Sequence, residues 1–120
     1  MKQLITQQEI LDLNISQEYL VTKFLEQLRK DFDACGVCSF FENVDSSLNY
    51  ELLIFEISNA LLTIEKQGYS VYNQLLYRID VPEKDIARVS VMEYKNAAIA
   101  ELIIKRILQK VILKIQFSKK

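Results

Sequence analysis

Two cysteines, Cys35 and Cys38, form the most suggestive short motif of the 120-residue chain. The Cys-x-x-Cys spacing is that of thioredoxin-like redox sites, in which the motif opens a helix whose amino end lowers the thiol pKa. Here the motif follows the predicted carboxyl end of a helix, where the helix dipole has the opposite sign. The sequence therefore favours a structural role, with Cys35 in the core, and leaves a redox-active pair as the alternative.

Metal binding is the second chemistry that Cys35 and Cys38 could supply. A structural zinc site needs four ligands, whereas the chain has two cysteines and no histidine. An all-cysteine zinc site would need both cysteines from each of two chains. The lack of histidine also excludes Ser-His-Asp and Cys-His catalysis and the Glu-x-x-His di-iron bundle. We predict no metal site and no cofactor.

The same region nearly matches a calcium-binding loop. Asp31, Asp33 and Glu42 have the spacing of carboxylate ligands, and a glycine occupies the turn position. Cys35 stands where a third oxygen ligand belongs. The apolar stripe of the preceding helix continues to Cys35. This pattern predicts that Asp31 and Asp33 lie on the opposite face of that helix, toward solvent. We expect no calcium site.

Polar and aromatic residues cluster at a predicted helix junction. They are Tyr72, Tyr77, Arg78, Asp80 and Glu83. A ligand pocket near Tyr72, Tyr77 and Arg78 would make the protein a small enzyme or a ligand carrier. The alternative is that the aromatic rings belong to the core, Arg78 lies at the surface and Asp80 caps a helix. The sequence has no glycine-rich phosphate loop, and no pair of carboxylates stands out as a general acid and a general base. We therefore favour a non-enzymatic protein.

A basic side is predicted for the last helix, formed by Lys95, Arg106, Lys110 and Lys114. Such a side could contact nucleic-acid phosphates. However, the sequence pI is about 5.5, and residues 1–80 carry a net charge of -6 against +5 for residues 81–120. The alternative is that the two parts attract one another within the fold or across a dimer.

The composition predicts an all-α fold. Half of the residues are hydrophobic, and the chain has only two glycines and one proline, too few for the tight turns of an all-β domain. Apolar residues follow helical periods. We predict a single domain, residues 1–120, built as a bundle of four main helices near residues 17–35, 48–67, 71–79 and 91–117. Short helices are expected near residues 7–13 and 82–89.

Helix boundaries follow from capping residues. Ser47 is predicted to cap the helix near 48–67, and Gly68 to end it in a left-handed conformation. Capping boxes at residues 80–83 and 90–93 predict the starts of the last two helices.

The helix near 48–67 carries apolar residues on two sides, and only one side is needed for the core. The second side comprises Leu48, Leu52, Phe55 and Leu62. The last helix likewise carries apolar residues off its main face, namely Ile99, Leu102, Leu113 and Phe117. These eight residues form the predicted interaction surface. Our first hypothesis is a helical protein–protein interaction module that self-associates; the nucleic-acid and pocket hypotheses are the alternatives.

The start of the chain lacks the apolar core and cleavage pattern of a signal peptide. No run reaches the roughly 18 apolar residues of a membrane span. We therefore expect a cytoplasmic protein without a transmembrane segment.

Residues 75–84, LLYRIDVPEK, and residues 100–106, AELIIKR, with Gln109 and Lys110 following, resemble small helical bacterial proteins of uncharacterised function. The resemblance covers roughly the last 45 residues of the chain. It implies an all-helical fold and no activity, so it assigns no functional residues.

Overall fold

A computed structural model describes residues 17–34 and 49–118, whose regular secondary structure is entirely α-helical. The helices are α1 (Gln17–Asp33), α2 (Tyr50–Gln67), α3 (Tyr69–Ile79), α4 (Glu83–Val89) and α5 (Lys95–Ser118). The predicted all-α fold is confirmed. The short helix expected near residues 7–13 lies outside the described residues, as do Cys35, Cys38, Glu42, Ser47 and Leu48.

Helix α5 contacts all four of the other described helices, α2 and α1 most extensively. Its buried residues recur at helical spacing and are Ile99, Ala100, Ile103, Ile104, Ile107, Leu108, Val111 and Ile115. Their spacing confirms the helical period of the apolar residues that the sequence shows. Because α5 has neighbours on several sides, its buried arc is wider than one helical stripe and includes Ile99.

The core-facing stripes of the other long helices also follow the predicted periods. On α1 the buried residues are Leu20, Phe24, Leu25, Leu28 and Phe32. On α2 they are Leu53, Ile57, Ala60, Leu61 and Ile64, and on α3 they are Tyr72, Leu75, Leu76 and Ile79. Together with α5 they form one continuous hydrophobic core.

Gly68 separates α2 from α3 and belongs to the ends of both helices. Its backbone has φ 136° and ψ 153°, and its N–H donates to the Glu65 carbonyl. It therefore ends α2 as predicted, although its ψ lies outside the left-handed helical region, in a conformation that only glycine adopts readily. A Cβ here would meet no atom within 4 Å, so the requirement for glycine is conformational and not steric.

Asn49 caps α2, and not Ser47 as the sequence predicted. The Asn49 side-chain oxygen accepts a hydrogen bond from the Leu52 N–H at 2.8 Å. This bond satisfies one of the amides that has no partner within the helix. Asparagine is as favourable as serine in this role, so residue type alone does not identify the cap.

The two predicted capping boxes before α4 and α5 are wrong. Asp80 is left-handed, with φ 69° and ψ 46°, and ends α3 through its N–H, while its carboxylate pairs with Arg106. The Ser90 hydroxyl donates to the Ala87 carbonyl at 2.9 Å, at the end of α4. Residues 91–94 then form turns, so α5 begins at Lys95 and not near residue 91. Neither side chain therefore caps the helix that follows it. The Asp80 carboxylate binds a residue far away in the sequence, and the Ser90 hydroxyl binds the helix before it.

We expect Gly68→Ala to lower the free energy of unfolding by about 1–3 kcal/mol, because alanine is strained at a φ of 136°. Urea denaturation at fixed protein concentration measures the change. Ser70→Ala, two residues away and exposed, is the matched control and should change stability by less than about 0.5 kcal/mol. An unchanged denaturation midpoint for Gly68→Ala would contradict the conformational argument.

Candidate functional site

The outward side of α2 carries the main candidate site, which we call the α2 face. It consists of Leu52, Phe55, Asn59, Leu62 and Lys66, all exposed. Leu52 is 47 % exposed, Phe55 58 % and Leu62 48 %. The buried residues of α2 lie on its other side, so the helix has two apolar sides as the sequence indicated. Core burial accounts for only one of them.

The spacing of the α2 face alternates between three and four residues. This is the spacing of the residues that interlock where two helices pack along their length. The side-chain amide of Asn59, at the centre, has no hydrogen bond within the described residues, and Lys66 has no ion pair there. The face therefore combines apolar contact area with polar groups free to bind a partner.

The residues predicted as an interaction surface on α5 fall into two groups. Leu113 and Phe117, in its last two turns, are exposed, and Leu102 is half-buried. Ile99 is only 1 % exposed, so its assignment to the surface is wrong. The helices that pack against α5 on several sides bury Ile99. Leu48, which was predicted as part of the same surface, lies outside the described residues.

A buried carboxylate, Asp31, joins three helices. It is 2 % exposed, so the prediction that it faces solvent is wrong. Its Oδ1 accepts from Gln27 Nε2 at 3.0 Å and lies 3.4 Å from Arg78 Nε, and its Oδ2 accepts from Lys110 Nζ at 3.2 Å. The two cations, from α3 and α5, neutralise a charge that could not otherwise be buried.

This environment also bears on the calcium-like spacing. Both Asp31 oxygens are already occupied by cationic or amide donors, while Asp33 is exposed. Within residues 17–34 and 49–118, no group of three or more acidic or cysteine side chains is placed to hold a metal ion.

The four predicted phosphate-contacting cations of α5 all have partners within the chain. Three of them pair with carboxylates of the acidic part and one with an amide. The contacts are Lys95–Glu65 at 2.7 Å, Arg106–Asp80 at 2.9 Å, Lys110–Asp31 at 3.2 Å and Lys114–Gln27 at 2.6 Å. The charge asymmetry of the sequence is therefore compensated in part inside the fold, by contacts between α5 and earlier helices.

A groove of about 820 Å³ lies where α3, α4 and the start of α5 meet. Tyr72 and Tyr77 line it, and Tyr77 is 87 % exposed, so its ring is not part of the core. Arg78 does not line the groove, because it points to Asp31 beside α1. The predicted trio of pocket residues is thus divided between two sides of α3.

Ionisable groups beside the groove form a connected polar network. The Tyr72 hydroxyl donates to Asn96 at 3.3 Å, and Asn96 donates to Glu65 at 3.1 Å, which also accepts from Lys95. Burial, aided by the Glu65 carboxylate, raises the pKa of Tyr72 to about 12. The Lys95 hydrogen bond lowers the pKa of Glu65, and the same bond raises the pKa of Lys95. All three shifts lead away from neutrality, whereas general acid–base catalysis needs a pKa near the working pH.

We expect Asp31→Asn to lower the free energy of unfolding by about 2 kcal/mol, because Arg78 and Lys110 lose their common counter-charge. The loss is moderated because the Arg78 side chain is 41 % exposed and can be hydrated. Asp33→Asn, on the same helix but exposed, is the control. Equal denaturation midpoints for the two variants would show that the buried cluster does not stabilise the fold.

We expect Glu65→Gln to lower the free energy of unfolding at pH 7 by about 1 kcal/mol. Since the folded pKa of Glu65 is below its ordinary 4.5, the contribution is present above pH 4.5 and is lost as pH falls through the lowered value. Since the folded pKa of Lys95 is above 10.5, the contribution is also lost as pH rises through the raised value.

Denaturant midpoints measured across pH should therefore show the largest gap between wild type and Glu65→Gln on the neutral plateau. The exposed Glu93→Gln variant should show no such plateau. A gap that stays constant from acid to alkaline pH would contradict the assignment of the Glu65–Lys95 pair.

No described helix has the length and apolar character needed to cross a bilayer. No family model, curated protein or solved structure matches the chain.

Proposed function

We propose that this protein is a non-enzymatic helical interaction module that self-associates through the α2 face. The observation that supports the proposal is the partial exposure of Leu52, Phe55 and Leu62 on one side of one helix. Singly exposed apolar side chains are ordinary, but a contiguous exposed patch marks an interaction site. We propose a cytoplasmic location for the module, as expected from the sequence.

A second copy of the chain is the partner that this face suits best. Closed two-fold dimers are the commonest soluble oligomers, and they bring the same patch of each subunit together. Such a dimer requires a self-complementary surface. The α2 face offers apolar side chains at both ends and an amide, which is both donor and acceptor, at Asn59.

The two alternative functions receive less support. The four α5 cations that were predicted to contact nucleic-acid phosphates have partners within the chain. The groove beside Tyr72 holds no group whose pKa is shifted toward neutrality among those with a resolved shift. The groove itself is the one observation that favours the ligand-pocket alternative, whereas the nucleic-acid alternative has none of its own.

We expect the wild-type protein to sediment at twice the 14.0 kDa mass of one chain at concentrations near 100 µM, since a small interface of this kind gives about micromolar affinity. Phe55→Glu should sediment as a 14.0 kDa monomer, because it places a charge in the apolar contact. Tyr77→Glu makes a similar change at an exposed ring on α3 and should leave the dimer intact.

Two results would overturn the proposal. One is a wild-type protein that stays monomeric at every concentration up to about 1 mM. The other is a dimer that Phe55→Glu leaves unaffected, which would place the contact elsewhere. Circular dichroism of each variant establishes that it is folded before its mass is interpreted.

A further inference from the structure

The α2 face has a direction, because its charges differ between its two ends. Glu51 and Glu56 flank the face near the amino end of α2, and Lys66 lies on it at the carboxyl end. None of the three has an ion pair within the described residues. Glu65, the other charge near the carboxyl end, is already paired with Lys95 at 2.7 Å. The face is therefore acidic at one end and basic at the other.

This polarity distinguishes between the two ways of pairing α2 helices. In a parallel pair in register, Lys66 would meet Lys66 of the second copy. Glu51 would also lie near Glu56 of the second copy, since residues five apart face each other across a parallel helix pair of this spacing. Every charged contact would then be between like charges.

An antiparallel pair reverses these contacts. Lys66 of each copy then lies at the level of Leu52 of the other, with Glu51 and Glu56 on either side. The lysine stem can cover the leucine side chain while its ammonium reaches a carboxylate. The two helix dipoles also run in opposite directions, which is the favourable arrangement. Each favourable contact occurs twice because of the two-fold symmetry.

Asn59 lies near the midpoint of the face, seven residues from both Leu52 and Lys66. In an antiparallel pair centred on the face, the two copies of Asn59 lie close to the two-fold axis. A single polar residue at such a position can fix the register of a helix pair, because only one alignment satisfies its hydrogen bonds.

We infer that two copies of this chain pair through antiparallel α2 helices about a two-fold axis near Asn59, with Lys66 of each copy beside Glu51 and Glu56 of the other. The inference rests on the proposed self-association and adds its orientation and its charged contacts.

Charge reversal tests the orientation. We expect Lys66→Glu to raise the dimer dissociation constant about tenfold, because it turns the attraction between residue 66 of each copy and the two glutamates of the other into repulsion. The double variant Glu51→Lys with Glu56→Lys should weaken the dimer to a similar extent. The triple variant that combines all three changes should restore the wild-type value within about threefold, because the opposite charges again face one another. Lys84→Glu is the control, because Lys84 is exposed on α4 and has no ion pair among the described residues; it should leave the dissociation constant unchanged.

The results separate this inference from the proposal on which it rests. If Phe55→Glu gives a monomer but the reversals at Lys66, Glu51 and Glu56 leave the dissociation constant unchanged, self-association stands and the antiparallel orientation is overturned. In a parallel pair the reversals exchange one set of like charges for another, so this unchanged value is its signature. A wild-type monomer at all concentrations would remove both. Thermal unfolding of each variant distinguishes a weakened contact from a weakened fold.

Discussion

The arrangement of the helices depends on one buried charge. Asp31 of α1 lies between Arg78 of α3 and Lys110 of α5, and Lys110 also donates to the carbonyl of Arg78. A buried carboxylate is tolerated only where these donors converge. Apolar packing is non-directional, so it tolerates a small shift of one helix along another. A shift that separated Asp31 from its two cations would leave a buried charge unpaired, at a high energetic cost. The cluster therefore defines how α1, α3 and α5 are aligned along one another, while the apolar core supplies most of the stability.

The same logic explains why the basic residues of α5 are spaced as they are. Lys95, Arg106 and Lys110 pair with carboxylates on α2, on the α3 carboxyl end and on α1 respectively. One helix therefore carries complementary charges for three others. A strongly cationic stripe in a sequence is usually interpreted as a binding face, but here it serves mainly to attach α5 to its neighbours. The exposed apolar side of α2, by contrast, is not covered by packing among the described residues.

Much of the fold could be predicted from the sequence, because it depends on local patterns. The apolar stripes of α1, α2, α3 and α5 are visible as helical periods, and the end of α2 is visible at Gly68. The errors at Asp80, Ser90 and Asp31 share a cause. A short polar side chain suits several roles, and its role here depends on the path of the backbone or on a partner far away in sequence, such as Lys110 for Asp31. The apolar residues of the α2 face could be recognised in the sequence because they exceed what one core-facing stripe needs. The burial of Ile99 could not, because it depends on how many helices pack against α5.

Helix α5 is the common partner of the other described helices, and it follows all of them in the chain. During synthesis the ribosome therefore produces α1 to α4 before the helix against which each of them packs. A nascent chain at that stage leaves Leu28, Ile57 and Ile79 without their full set of neighbours, and Asp31 without Lys110. The contacts of α5 can therefore form only after the other described helices have been synthesised, and until then the apolar surface that α5 covers is open to aggregation.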